Sequence, residues 1–238
     1  MPLDAALYLI PVGMSDSPID HYLPAHNIEI TRQIKHFIVE NVRTARRFLK
    51  KCDKAINIDE LTFYELNNHT DLSEVESYLA ALAEGQPIGV MSEAGCPAVA
   101  DPGALPVAIA QRKGYKVVPL VGPSSILMAQ MASGFNGQGF AFNGYLPIET
   151  SARNQKIKEL ENDAYRKDMT QIFIETPYRN NRLIETLCKT LRPDTLLCVA
   201  SAITDSDHES IVTLKVKQWA KRKYNYDKIP TIFLIYHP

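Results

Sequence analysis

The chain of 238 residues has one tryptophan, four cysteines and a net charge of -1. With 26 basic against 27 acidic residues, it has no global field to draw it onto nucleic acid or an anionic membrane. Any contact with a polyanion must come from a local patch. No apolar run approaches the roughly 18 residues that span a bilayer, so no membrane partner is expected. The short run Leu7-Tyr8-Leu9-Ile10 has no Lys or Arg before it and reads as a strand rather than a leader. Cys52, Cys96, Cys188 and Cys198 form no CxxC pair, which suits reduced thiols in a cytoplasmic protein better than a disulfide framework. The six histidines show no HxxxH spacing, and no metal is expected. The loop after the first strand, Pro11 to Pro18, is neither a GxGxxG fingerprint nor a phosphate-binding GK[ST] loop.

What is present is an α/β pattern. At 45% hydrophobic residues, the chain can bury a sizeable core in one large domain or two small ones. Strand-like runs lie at Leu7–Pro11, His36–Val39, Thr62–Glu65, Ile88–Ser92 and Lys116–Leu120. Between them, Val42–Lys54, Asp71–Glu84 and Gly103–Lys113 place apolar residues at helical spacing. Asp71 with Glu74 predicts a capping-box start for the second of these. Strand alternating with helix predicts a parallel sheet with helices on its faces. From Leu120 a Gly-Pro turn leads into a helix that Gly134 closes, and the pattern then changes. Strands are predicted at Phe140–Leu146, Gln171–Thr176, Leu196–Ile203, Ile211–Val216 and Thr231–Tyr236. Helices are predicted at Ser151–Arg166, Pro177–Leu191 and Val216–Arg222. Consecutive strands without full helices between them predict a mixed sheet. The expected organisation is an N-terminal α/β domain over residues 1–121 and a C-terminal α/β domain over residues 122–238.

Three loops follow predicted strands of the first half: PVGMSDSP at 11–18, SEAGCPAVADPG at 92–103, and VGPSSI at 121–126. In a parallel α/β sheet the carboxyl ends of the strands share one edge, where ligands bind. Glycine and small side chains there let backbone approach a ligand closely. A single such loop is usually a plain turn; three on one edge favour a site.

SEAGCPAVADPG resembles the S-D-A-G-x-P-x-x-x-D-P-G loop of the tetrapyrrole-methylase superfamily, which comprises S-adenosylmethionine-dependent methyltransferases. ALYLIPVG, VGPSSILMAQMASG, FAFNGYLP and IETPYR are similar to further motifs of one branch. That branch methylates the ribose 2′-oxygen of a cytidine in small-subunit ribosomal RNA. The resemblance runs in order over nearly the whole chain. It implies two α/β domains with the active site in the cleft between them, S-adenosylmethionine as methyl donor, and a homodimer. Carried over residue by residue, it implies cofactor contacts at Met14, Gly95, Cys96, Val99, Ser124, Ser125, Glu175 and Thr231. Cys96 stands where the family has a small Thr or Asp. With no histidine nearby in sequence to activate it, it reads as a packing side chain rather than a nucleophile.

A ribose hydroxyl is a weak nucleophile and needs a base. Glu93 and Glu40 are the candidates, each with a structural alternative. Glu93 can hold its loop through backbone N–H groups, and Glu40 can cap a helix or pair with Arg43. The branch has A-E-D-T-R-x-T after the second strand. Here Glu40 and Arg43 remain, but Asn41 replaces the Asp and Val42 the Thr. Met14 replaces an Asn, and Tyr178 replaces a His. Arg43, Arg46, Arg47 and Lys50 recur at helical spacing and are the expected RNA-binding face. Two other readings stay open. One is a methylase of a small molecule such as a tetrapyrrole, though the G-x-G-x-G-D first loop of that branch is absent. The other is a non-catalytic homologue that only binds S-adenosylmethionine.

Overall fold

The structure is a computed structural model that describes residues 3–237. These fall into two compact units, the chain passing from the first to the second between Ser124 and Ser125.

The first unit is built on five strands: β1 (Ala6–Leu9), β2 (His36–Val39), β3 (Thr62–Glu65), β4 (Ile88–Met91) and β5 (Lys116–Pro119). All pair in parallel, in the order β3-β2-β4-β1-β5. Successive residues serve opposite faces. Ala6, Tyr8, Phe37, Val39 and Met91 enter one apolar core, while Leu7, Ile38, Ile88 and Val90 enter the other. The inner strands β1, β2 and β4 are buried on both faces, which explains why they read as continuous apolar runs. Burying each large side chain contributes about 1.5–3 kcal/mol before the entropy of ordering it.

The helices are α1 (Ala25–Thr31), α2 (Val42–Cys52), α3 (Ala80–Ala83) and α4 (Ala104–Arg112). On α2, Ala45, Leu49 and Cys52 are the buried stripe at helical spacing. Helix α1 was not expected from the sequence pattern. The single helix expected over Asp71–Glu84 is absent. Asp71 accepts from the Ser73 N–H at 2.9 Å and its hydroxyl at 2.8 Å, a side-chain turn that competes with a helical start. Three-residue bonds then follow, Glu74 N–H to Asp71 O and Ser77 N–H to Glu74 O, so tight turns fill the segment up to α3.

The second unit starts with α5 (Ser125–Ser133), closed by Gly134 at φ +77°. It continues with β6 (Phe140–Tyr145), α6 (Thr150–Lys167), β7 (Thr170–Ile174), α7 (Asn180–Thr190), β8 (Leu196–Ser201), β9 (Ser210–Lys215), α8 (Val216–Trp219) and β10 (Thr231–Tyr236). The sheet order is β6-β7-β10-β8-β9, with β6–β7 parallel and the remaining pairs antiparallel. The expected parallel sheet followed by a mixed sheet is what the chain forms. Helix α6 starts one residue before the expected Ser151, because Glu149 caps it, accepting from the Ser151 and Ala152 N–H groups at 2.9 and 2.7 Å. The Ser151 hydroxyl, donating at 2.6 Å, and these backbone bonds hold the Glu149 carboxyl down at about 2. Trp219 is fully buried and donates its indole N–H to Leu197 O at 2.8 Å. Among the described residues, no helix is long and apolar enough to cross a membrane.

Candidate functional site

Because the first sheet is parallel throughout, the loops after β1, β4 and β5 leave from one edge. They are joined to one another. Val12 and Gly95 exchange both backbone hydrogen bonds, at 2.9 and 3.2 Å, in an isolated antiparallel bridge between the first loop and the second. Cys96 ties the second loop to the third, its thiol donating to Pro123 O at 3.2 Å. From α1, Asn27 donates to Val121 O at 2.7 Å and fixes the third loop from behind.

Two glycines set the spacing. Gly95 has φ +73°, and a Cβ there would lie 3.3 Å from Pro123 O and 3.7 Å from Met14 Sδ. Gly122 lies so close to Pro11 that a Cβ would fall 2.1 Å from the proline Cβ. Three strand-end loops can approach this closely only through residues without side chains. Thus Met14, Gly95 and Cys96, three of the expected cofactor residues, are brought together with Pro123. Ser124 follows directly, and Ser125 opens α5 in the second unit. Val99 is 50% exposed and stands between Ala98 at φ 66° and Ala100 at φ 60°. Two left-handed alanines flanking one exposed residue are sparsely populated backbone, of the kind that gathers at functional loops.

Cys96 packs inside the junction, as its hydrogen bond to Pro123 O requires. Burial pushes its thiol above the ordinary value, away from the reactive thiolate.

The two carboxylates lie side by side. Glu40 accepts the backbone N–H of Glu93 at 3.1 Å, and Thr44 Oγ1 donates to Glu93 Oε1 at 2.5 Å. Glu40 neither caps α2 nor forms an ion pair with Arg43. The cap is Asn41, whose side-chain oxygen accepts from the Arg43 and Thr44 N–H groups at 2.9 and 3.3 Å. The substitution of Asn for Asp in this stretch therefore keeps the cap and drops only its charge. Val42 is partly buried against the core. Burial pushes the Glu40 carboxyl above its ordinary value. The Glu93 N–H opposes the shift, and the nearby charges of Asp101 and Glu93 add to it. Asp101 is also raised by burial. Its Oδ1 accepts from Ala98 and Gly103 N–H at 2.9 and 2.7 Å, while its buried Oδ2 has no hydrogen-bond partner among the described residues.

Helix α2 runs on from this pair and exposes Arg43, Arg46, Arg47 and Lys50. Among the described residues none of the four pairs with a carboxylate. The Arg46 guanidinium sits 5.4 Å from the Phe63 ring centroid, and Lys50 donates to Lys54 O at 3.0 Å. Lys51 turns away to Asp16 and Ser17 O.

Glu175 and Thr231 belong to the second unit. Ile232 of β10 pairs with Ile174 of β7, so Thr231 and Glu175 share one end of that sheet. Both side chains are engaged locally. Glu175 is buried, and its Oε1 accepts from Thr176 N–H at 2.7 Å and from Arg179 Nε and Nη2 at 3.1 and 2.6 Å. Thr231 donates to Ile229 O at 2.9 Å. Asn180 had no signal in the sequence beyond its place after IETPYR. It is fully buried and donates to Tyr226 O and Ile229 O at 2.9 and 2.7 Å, tying the start of α7 to the segment before β10.

No family model matches the chain. The chain is 30% identical over 175 residues to a ribosomal RNA small subunit methyltransferase I of Vibrio cholerae, an alignment covering 73% of this chain and 56% of that protein. It is 30% identical over 176 residues to the protein of the same name from Pasteurella multocida, covering 73% and 61%. It thus spans well under two thirds of the length of these curated relatives. Among solved structures, the methyltransferase CobJ superposes with a TM-score of 0.65 at 18% identity, covering 98% of this chain and 94% of that one. The cobalt precorrin-4 methyltransferase CbiF superposes with a TM-score of 0.61 at 16% identity, covering 98% and 95%. The structural likenesses show the fold, and over 73% of its length the chain is similar in sequence to ribosomal RNA small subunit methyltransferases I.

Proposed function

We propose that this chain is an S-adenosylmethionine-dependent methyltransferase that acts on the ribose 2′-oxygen of a cytidine in small-subunit ribosomal RNA. The observation that carries the reading is a junction of three loops next to two carboxylates, at the start of a basic helix. The sequence relatives, ribosomal RNA small subunit methyltransferases, support the substrate class.

The residues present fit the cofactor. The space over Gly95, between Met14 and Pro123, is one that a side chain would fill, and the lining is backbone and small side chains. Met14, Gly95, Cys96, Val99, Ser124 and Ser125 would hold it, with Glu175 and Thr231 carried over from the same resemblance. When bound, it supplies a methyl group on a positively charged sulfur, already activated for transfer. The protein's own work is then orientation and proton removal. Glu93 is exposed, and Thr44 holds one of its oxygens, so we assign it to accept the hydroxyl proton. Glu40 fixes the backbone of Glu93. Arg43, Arg46, Arg47 and Lys50 meet the RNA phosphates. The reading places the protein in the cytoplasm, without a metal, as a homodimer. The exposed apolar side chains of Met131 (83%) and Ile148 (75%) support a partner surface on the second unit.

Nucleoside mass spectrometry of small-subunit ribosomal RNA, with the gene deleted and then restored, tests this. Loss and return of one 2′-O-methylated cytidine is expected. An unchanged profile would remove the ribosome as substrate.

A further inference from the structure

Tyr178 is 76% exposed, second only to Met131 among the large apolar side chains of the described residues. An aromatic ring in water normally costs solubility without return, so its setting decides whether it has a use. It stands in the three-residue turn Pro177–Arg179 that follows β7 and precedes α7. That turn is held from three directions. Arg179 is bound by two nitrogens to the buried carboxylate of Glu175. Lys228 N–H donates to Pro177 O at 2.8 Å. Just beyond the turn, Asn180 and Asn181 bind the segment 225–229 through Tyr226 O, Ile229 O and the Asp227 and Asn225 side chains. The ring is therefore presented from a rigid base, with little backbone left to order on contact. Lys228, whose backbone N–H holds the residue before Tyr178, is exposed and at φ 66°; no carboxylate pairs with it among the described residues. The approach to Lys228 is also basic. Lys221, Arg222 and Lys223 are exposed, and the stretch 210–226 contains no acidic residue. That stretch is anchored by Trp219, whose ring lies 5.9 and 6.2 Å from those of Tyr224 and Tyr226.

We infer that Tyr178 is a stacking platform for an unpaired base of the RNA, with Lys228 placed to meet the adjoining phosphate. This rests on the RNA reading above. An exposed, rigidly mounted ring with a neighbouring unpaired cation is the combination that binds single-stranded RNA with little sequence demand. It is a substrate-positioning residue and takes no part in the chemistry.

The test uses the full chain, a short single-stranded oligonucleotide of ribosomal sequence and isolated small subunits. Tyr178→Ala should raise KM for RNA about tenfold and weaken oligonucleotide binding equally, with kcat and cofactor affinity within twofold of wild type. Tyr178→Phe should behave as wild type, because the ring and not the hydroxyl is used. Lys228→Glu should weaken binding and lower the salt dependence of log K by about one. An RNA KM unchanged in Tyr178→Ala overturns the inference, as does a loss in Tyr178→Phe equal to that in Tyr178→Ala. A change in sedimentation without a change in RNA KM also overturns it and assigns the ring to a protein interface. Wild-type protein that neither binds nor methylates RNA sinks the proposed function itself, whereas active wild type with an unaffected Tyr178→Ala sinks only the platform.

Discussion

Thr44 and Glu93, 49 positions apart, are joined by a hydrogen bond of 2.5 Å from hydroxyl to carboxylate. The bond fastens the loop after β4 to the first turn of α2, so the carboxylate and the basic helix move as one. If Glu93 takes the ribose proton, Glu93→Gln should lower kcat about 10²- to 10⁴-fold and leave cofactor binding unchanged. Thr44→Val should cost less than tenfold, since it frees the carboxylate without removing it. Single-turnover methylation of small subunits measures both. A rate unaltered in Glu93→Gln would assign the proton elsewhere.

At Gly95, the positive φ and the neighbouring Pro123 carbonyl act together. Gly95→Ala should destabilise the first unit by about 1–2 kcal/mol through the left-handed backbone alone. It should also weaken S-adenosylmethionine binding about tenfold. Denaturant unfolding and calorimetric titration separate the two effects. Reduced stability with full affinity would place the cofactor away from this junction.

The Glu40 carboxyl is raised in the fold, chiefly by burial. Its ionisation therefore opposes folding. The stability it allows is fully present below its unfolded value, near 4.3, and is lost as pH rises through the higher folded value. Glu40→Gln keeps an oxygen to accept the Glu93 N–H and removes the titration. The variant should gain on wild type in melting temperature between pH 4 and pH 7. Parallel curves over that range would show that Glu40 ionises as freely as in the unfolded chain.

The exposed face of α2 makes a prediction about salt. Arg43→Glu, Arg47→Glu and Lys50→Glu together should abolish RNA methylation at physiological ionic strength while leaving cofactor affinity unchanged. Arg46 is omitted because its guanidinium also covers Phe63. Log K for RNA against log salt should flatten by two to three charges. Full activity in the triple variant would make the stripe an ordinary solvated face.

Much of the fold was legible because short runs rich in β-branched and aromatic residues mark the strands. His36–Val39, Thr62–Glu65 and Thr231–Tyr236 have in the structure the bounds their sequence suggests. Legibility failed where side chains replace backbone partners. Asp71 reads as a helix cap but turns the chain through Ser73. Glu149, a poor capping residue by type, caps α6 through both oxygens. The junction of Met14, Gly95 and Cys96 could be found from glycine and proline in three loops. Thr44, Asp101 and Asn180 could not, because each acts through partners that are distant in sequence or hidden in a turn. The left-handed conformations of Ala98 and Ala100 had no sequence signal, since alanine is not a residue that favours them.

The strand order of the first unit also dictates when it can be made. β1 lies between β4 and β5, the strands furthest from it in the sequence of that unit. The amino-terminal strand therefore leaves the ribosome with neither neighbour in existence. Roughly 110 residues separate the end of β1 from the end of β5, so at common rates of synthesis it waits about 5–20 s. During that interval Leu7, Tyr8 and Leu9 are an apolar segment without a sheet, and the bridge from Val12 to Gly95 cannot close. The junction of the three loops is thus among the last parts of the unit to exist.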